Sequence, residues 1–455
     1  MSVIPKQLNF RNKIESAYAR AYSTHIQPQN GELYGPSQTI IINIPTSPNL
    51  IMAPSESVLK FDLVVTNGAT EAAYMRLDKG GASGIIQRIR VYSGSNLIED
   101  IDNYGCLVSN LSALQKSSVS SGKDNILCGF SAEYFTDTTT NETMPVVAGE
   151  RLIDDGQVTP FSAIIAGGLT LKRTYTISLL SILGTLSDKY LPLFAMTATS
   201  LRLEIQLVSS ANKFICSPHA TGTFAISNIE FIASMMELGD QAMQTIAGNL
   251  GNEPLQYAIP QWKNYAHNFP IVNATATQVT VPVAAKFNSV KSLITFFRTN
   301  SDGAATFFPH GSNRFGLDEY SVRLGSKVLP SKSPRTVPEF FVELLKAIGS
   351  VSDINHECMV NLANYSQNVP GANGEIATAI AETSSSPSFA IGMDLESYSN
   401  SDRSSVYTGY NTTTEDIFLQ LRFNGTANVQ NIRSDTYCLY DAVLICENGT
   451  ASVRF

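Results

Sequence analysis

The sequence predicts an all-β protein in two similar halves, each a sandwich of about eight short antiparallel strands with helices and long loops between them. Three observations carry this expectation: a composition poor in charge and rich in small polar residues, strict alternation of apolar and polar positions in short segments, and an internal repeat. The chain has 455 residues, of which 43% are hydrophobic and only 15% charged. Soluble domains typically carry about 25% charged residues. The deficit implies that much of the surface ends up against other protein, because interface cores are depleted of charge. Single hydrophobic cores stop growing near ~250–300 residues, so a chain of this length divides into two domains.

The repeat starts with VYSGSNLI at 91–98 and VRLGSKVL at 322–329, which superpose Gly94-Ser95 on Gly325-Ser326 at an offset of 231. Each reads as a strand, a tight Gly-Ser turn and a second short strand. An amphipathic helical stretch follows each, NYGCLVSNLSAL at 103–114 and VPEFFVELLKAI at 337–348. Beyond a variable insertion, YTISLLSI (175–182) matches FAIGMDLE (389–396), LEIQL (203–207) matches LQLRF (419–423), and FAISNIEFI (224–232) matches YCLYDAVLI (437–445). The offsets are 214, 216 and 213. Blocks in one order at a nearly steady offset indicate a duplicated unit.

Alternation places Leu201, Leu203, Ile205 and Leu207 on one face of LRLEIQL, and Ile417, Leu419, Leu421 and Phe423 on one face of IFLQLRF. Both are half-buried strands. First-half strands are expected near 38–44, 57–66, 71–77, 85–93, 96–101, 175–183, 201–208 and 224–236. Second-half strands are expected near 270–282, 289–299, 304–309, 319–325, 327–330, 388–396, 416–424 and 436–446. This pattern suits two tandem eight-stranded antiparallel jelly rolls, in which paired sheets leave no long free edge. The polar stretches 117–170 and 350–387 read as insertions at matching places. The expected division is an N-terminal arm over 1–36, a first jelly roll over 37–235, a linker with a short helix over 236–262 and a second jelly roll over 263–455.

Catalytic and metal chemistry find little support. There is no GxSxG elbow, no GxxxxGK[ST] loop and no HExxH helix. GGASG at 80–84 precedes a strand and reads as a turn rather than a phosphate cradle. The five histidines are dispersed, and the only local cluster of ligand types, His356-Glu357-Cys358, puts neighbours on opposite sides of the backbone. Asp154-Asp155 and the pair Asp100 and Asp102 read as loop carboxylates, and Trp262 as a packing residue between barrels. Six scattered cysteines form no CxxC pair, so neither a zinc ribbon nor a disulfide framework is indicated. No catalytic residue, cofactor or metal site is expected. A net charge of −8 argues against sequence-specific nucleic-acid binding by the body of the protein. Only the start is locally basic, with Lys6, Arg11, Lys13 and Arg20 against Glu15, and it offers a contact to an anionic genome or membrane leaflet. It has no apolar signal region, so the expectation is synthesis inside a cell without secretion.

Several segments resemble the double jelly-roll major capsid proteins of tailless icosahedral double-stranded DNA viruses, of the Polinton-like and adintovirus type in the adenovirus hexon lineage. They are TISLLSILGTLSDKYLPLFAMTATSLRLEIQL (176–207), FNSVKSLITFFR (287–298), EYSVRLGSKVLPSKSPRTVPEFFVELLKA (319–347) and YCLYDAVLICENGTASVRF (437–455). Leu329 stands where that family usually has an aromatic residue. The resemblance implies a structural protein and not an enzyme: a homotrimer whose six barrels form a pseudo-hexagonal block of the virion capsid, with minor capsid and penton proteins as partners. It further implies loops 117–170 and 350–387 in outward towers or trimer contacts, and the arm inside, near genome or internal membrane. Rival readings are a two-domain β-sandwich binding module, a cupin-like enzyme, which would need an HxH motif that is missing, and a minor capsid subunit, which the duplication disfavours.

Overall fold

The computed structural model describes residues 19–66, 76–116, 121–129, 135–136, 145–146, 151–154, 157–160, 170–186, 189–216, 222–250, 254–271, 276–299, 309–349, 358–366, 387–397, 408–424 and 430–455. The first half contributes β1 (Ala19–Ile26), β2 (Thr39–Ile44), β3 (Leu50–Thr66), β4 (Ile86–Ser93), β5 (Asn96–Asp102), β6 (Thr170–Ile177), β7 (Leu201–Leu207) and β8 (Thr223–Leu238). The second contributes β9 (Leu255–Ile271), β10 (Thr277–Val283), β11 (Val290–Thr299), β12 (Leu317–Leu324), β13 (Lys327–Leu329), β14 (Ile391–Asp394), β15 (Ile417–Phe423) and β16 (Gln430–Glu447), with β17 (Thr450–Arg454) as a tail. The main helices are α1 (Tyr104–Gln115), α2 (Asp240–Leu250) and α3 (Val337–Ala347).

The sheet orders are β1-β8-β3-β6 and β2-β7-β4-β5 in the first half, β9-β16-β11-β14 and β10-β15-β12-β13 in the second. Adding eight to each first-half label reproduces the second half. All these pairings are antiparallel, and the order is that of a jelly roll, four-stranded sheets packed face to face. Alternation drives the packing: in β7 the Leu201, Leu203, Ile205 and Leu207 side chains are buried, and in β15 Ile417, Leu419, Leu421 and Phe423 are. The buried apolar side chains of the two halves join into one continuous cluster.

The strands extend past the expected limits at several places; β3 starts at Leu50 rather than near 57, and β16 at Gln430 rather than near 436. Residues 19–26, expected within an arm, are β1, which pairs along β8 from Leu238 to Phe231, and the two-residue strand Leu33–Tyr34 continues that edge. The sequence of β1 hides it: ARAYSTHI presents no apolar face, because both its faces are largely exposed. Residues 255–262, expected in a linker, open β9, which contains Pro260 and Pro270. Proline suits it because β9 is an edge strand paired only with β16. The stretch 270–282, expected as one strand, is the end of β9 and β10, and β6 starts at Thr170 rather than near 175. The strand expected at 304–309, all of the 71–77 candidate but a two-residue strand at Arg76–Leu77, and most of 117–170 and 350–387 lie outside the described residues.

Both helices expected after the Gly-Ser turns form. The α3 N-terminus is a capping box: Thr336 Oγ1 accepts from the Glu339 amide while the Glu339 carboxylate accepts from the Thr336 amide. Asn103 precedes α1 in left-handed backbone, φ +49°. The two helices differ in surroundings: nine of the twelve α1 residues are buried, against Phe340, Leu344 and Ala347 in α3.

Candidate functional site

The junction between the two barrels holds a concentration of buried polar groups. The first cluster gathers around Lys79, which lies between β3 and β4 and is 1% exposed. Its ammonium donates to Asn110 Oδ1 in α1 (2.6 Å), and to the Pro387 carbonyl (3.0 Å) and Ser388 Oγ (3.1 Å) of the second barrel. Three acceptors satisfy the three N–H groups of a lysine. Burial pulls its pKa down to about 8, with Asp78 opposing. Burial works to raise the Asp78 carboxyl, but the imidazole and amide of His310 and the Lys79 charge outweigh it and hold it below the usual carboxylate range.

His310, between β11 and β12, completes this cluster from the second barrel. Its amide donates to Asp78 Oδ2 (2.5 Å), and its Nδ1 lies 3.3 Å from the same oxygen, an electrostatic contact rather than an aligned hydrogen bond. Burial pulls the imidazole pKa below its ordinary value, with the Asp78 carboxylate opposing. The ring sits against glycines: a Cβ on Gly84 would lie 2.9 Å from its Cε1, and one on Gly105 2.9 Å from its Nε2. GGASG is therefore a tight turn that lets the second barrel's histidine approach the first barrel's backbone.

A second cluster centres on Asp435 of β16, which is 0% exposed. Its Oδ1 accepts from Asn103 Nδ2 of the first barrel (3.1 Å) and Arg433 Nε (3.0 Å), and its Oδ2 from Arg298 Nε (2.9 Å) and Nη2. Burial would raise this carboxyl, but the two guanidiniums hold it well below the usual range. The Tyr437 hydroxyl donates to the Asn103 carbonyl at 2.8 Å, the carbonyl that also accepts from the Cys106 and Leu107 amides. The second barrel thus grips the first turn of α1.

A third set of contacts lines the edge. Gln261 Nε2 of β9 donates to the Ile98 carbonyl of β5 at 2.9 Å, and Lys263 pairs with Asp100, which also takes a two-point contact from Arg88. The tail closes over the β4–β5 hairpin: the Ala451 amide donates to Ser93 Oγ, Asn96 Nδ2 donates to the Ala451 carbonyl, and the Ala198 amide donates to the Gly449 carbonyl. Removing one member of such a buried charged set leaves its partner desolvated, at a cost of about 3–5 kcal/mol. The arrangement holds two barrels in one relative orientation.

The repeat's turn residues occupy matching positions. Gly94 (φ +59°) and Gly325 (φ +54°) close the β4–β5 and β12–β13 hairpins next to Ser95 and Ser326. Their amides donate to the carbonyls of Ser200 and Asp416, the residues just before β7 and β15. The 224–232 match pairs strand with strand, and its facing differs only at the start: Phe224 packs on Phe214 in the first barrel's core, whereas the Tyr437 hydroxyl reaches the first barrel's Asn103. A register shift in β8 between Ser227 and Glu230 accounts for it, and beyond it Ile229 and Phe231 are buried like their matches Ala442 and Leu444. Arg20 lies on β1 opposite Glu237, while Lys6, Arg11 and Lys13 lie outside the described residues. So do His356, Glu357 and Asp155. Trp262 is buried in β9, and Asp100 is bound in ion pairs. Among the described residues, no three His, Cys, Asp or Glu side chains are placed to hold a metal ion, and no helix is long and apolar enough to cross a membrane.

Lys79, His310, Arg298 and Asp435 were not legible as a group, since they stand on four separate elements. The available signal was a charge set against apolar strand, as Arg298 ends SLITFFR.

No protein-family model matches the sequence, and no curated protein does. Solved structures do. A chain of the Sputnik virophage structure matches with a TM-score of 0.60 at 9% identity, covering 100% of this chain and 93% of that one. The PBCV-1 virus capsid matches with a TM-score of 0.58 at 12% identity, covering 98% and 99%. The mavirus major capsid protein matches with a TM-score of 0.55 at 11% identity, covering 100% and 95%. The likeness runs the length of both partners and establishes the fold: this chain is a double jelly roll of the kind found in those capsids.

Proposed function

We propose that this chain is a structural major capsid protein, not an enzyme, whose trimers form pseudo-hexagonal blocks that tile an icosahedral virion shell. One observation carries the reading: two barrels of identical strand order are locked together by buried charge across their junction, over the whole length that solved capsid proteins share with this chain. A subunit with two near-equivalent lobes in a fixed orientation lets three copies close into a ring with six similar corners. Its partners are first other copies of itself, then minor capsid and penton proteins. Residues 1–18, with Lys6, Arg11 and Lys13, form the inner arm toward genome or membrane, and the insertions 117–170 and 350–387 lie at the outer end or at contacts between copies.

Size-exclusion chromatography with light scattering, followed by negative-stain electron microscopy of the same fractions, tests this. The expected result is a particle of three times 49.3 kDa with a hexagonal outline, or sheets and shells built from it. A monodisperse 49.3 kDa monomer at micromolar concentration would reject the reading and favour a two-domain binding module.

A further inference from the structure

Lys79 and Asn110 meet in the first barrel as an amine and an amide held face to face in a buried site. The backbone builds the approach: Gly80 lies so close to α1 that a Cβ there would stand 1.8 Å from Ser109 Oγ, and Lys79 turns onto the next helical residue. The Lys79 ammonium is 2.6 Å from Asn110 Oδ1, so the amide carbon, one C=O bond further on, lies within about 4 Å of the amine. The orientation of the amide is fixed, because Nδ2 donates to the Cys106 carbonyl at 2.9 Å and to the His310 carbonyl at 3.1 Å. Lys79, Asn110, Asp78, His310 and Ser388 are all at most 5% exposed. Burial brings the lysine pKa down to about 8, so the neutral amine is accessible near neutral pH. The titratable groups facing it are Asp78, which opposes that shift, Cys106 and His310.

We propose that Lys79 and Asn110 form an intramolecular isopeptide bond, which fastens the loop between β3 and β4 covalently to α1. The hydrogen-bonded ion described above is the reactant. Nζ attacks the Asn110 amide carbon; the Nζ–Cγ bond forms and the Cγ–Nδ2 bond breaks. Two of the three ammonium protons pass to Nδ2, which leaves as ammonium, and no oxidant, reductant or other co-reactant is consumed. The carbonyls of Cys106 and His310 already face Nδ2 and stabilise the positive charge that grows there. Holding amine and amide in contact supplies the effective concentration that such an attack lacks in water. In the product, Nζ keeps one N–H for the Pro387 carbonyl, which it already contacts at 3.0 Å. The second barrel grips the first turn of α1, so the bond ties the loop that carries Asp78 to the same anchored helix. It belongs to the single chain and is independent of how copies assemble.

The test is intact-mass spectrometry and tryptic mapping of the full chain, after incubation of the folded protein at pH 7 and at pH 9. The expected product is lighter than its sequence by one ammonia, resists cleavage after Lys79, and yields a branched peptide joining residues 77–88 to residues 91–116. Its formation is expected to run roughly tenfold faster at pH 9 than at pH 7, as the amine loses its proton, and to stop when urea unfolds the chain. Asn110→Ala and Lys79→Arg, each checked for fold by circular dichroism, are expected to keep the full mass. A parent that keeps its full mass after prolonged incubation at pH 9, with trypsin cutting after Lys79, overturns the proposal whatever the variants do. Ammonia loss without the branched peptide overturns it too, and would place the loss at an Asn-Gly pair such as Asn30-Gly31.

Discussion

Glu99 shows how much burial this fold imposes on single side chains. It sits on β5, 2% exposed, where its carboxylate accepts from Ser181 Oγ and the Ile182 amide. Burial raises its pKa from 4.5 to about 7 despite those donors. The folded state therefore holds the proton more tightly than the unfolded chain, and this contribution is fully present below the unfolded value and lost as pH rises through about 7. A shift of this size corresponds to roughly 3 kcal/mol. The expected outcome is that Glu99→Gln removes this part of the pH slope, so that in urea unfolding at a series of pH values the variant gains on the parent between mildly acidic and neutral pH. A parallel dependence in both proteins would contradict it. Lys79 shows the converse device, a buried cation kept because three acceptors from two barrels converge on it.

The two Gly-Ser hairpins allow the same substitution to be compared in two copies of one element. Both glycines adopt left-handed backbone, which costs an L-residue about 1–2 kcal/mol. A Cβ on Gly94 would also meet Thr199 Cγ2 at 2.9 Å and Cβ at 3.2 Å, whereas on Gly325 it meets the end of the Glu415 side chain at 3.1 Å. A flexible carboxylate yields more easily than a β-branched threonine. Gly94→Ala is thus expected to destabilise by more than Gly325→Ala, with the latter near the conformational cost alone, as read from unfolding midpoints in urea. Equal losses would mean that Thr199 moves aside freely. The helices after these hairpins carry the same lesson: α1 and α3 have matching places in the repeat, but only the structure reveals that one is enclosed between barrels and the other is not.

For the whole molecule, the shared apolar cluster and the charged clusters at the junction make the barrels one cooperative unit. The parent is expected to unfold in a single calorimetric transition. Asp435→Ala would leave Arg298 and Arg433 beside each other without their carboxylate and remove the acceptor for Asn103, at a cost of about 3–5 kcal/mol. Weakening the junction in this way is expected to split the transition into two. Two transitions already present in the parent would show that the barrels unfold independently and that the network does not couple them.

Strand content, duplication and the facing of β7 and β15 were determined by the sequence alone, because side-chain alternation and turn glycines are local signals of a half-buried strand and its ends. Two of the edge strands, β1 and the start of β9, were not legible. In β1 both faces are largely exposed, so nothing in ARAYSTHI alternates, and in β9 the prolines of a permitted edge resemble those of a linker. The junction was decided only by the tertiary structure. Asp78, Lys79, His310, Arg298 and Asp435 are scattered along the chain, and they gather into two buried clusters only when segments more than two hundred residues apart are brought within hydrogen-bonding distance. Pairing of that kind depends on how the two barrels are oriented, and a one-dimensional pattern holds no record of that orientation.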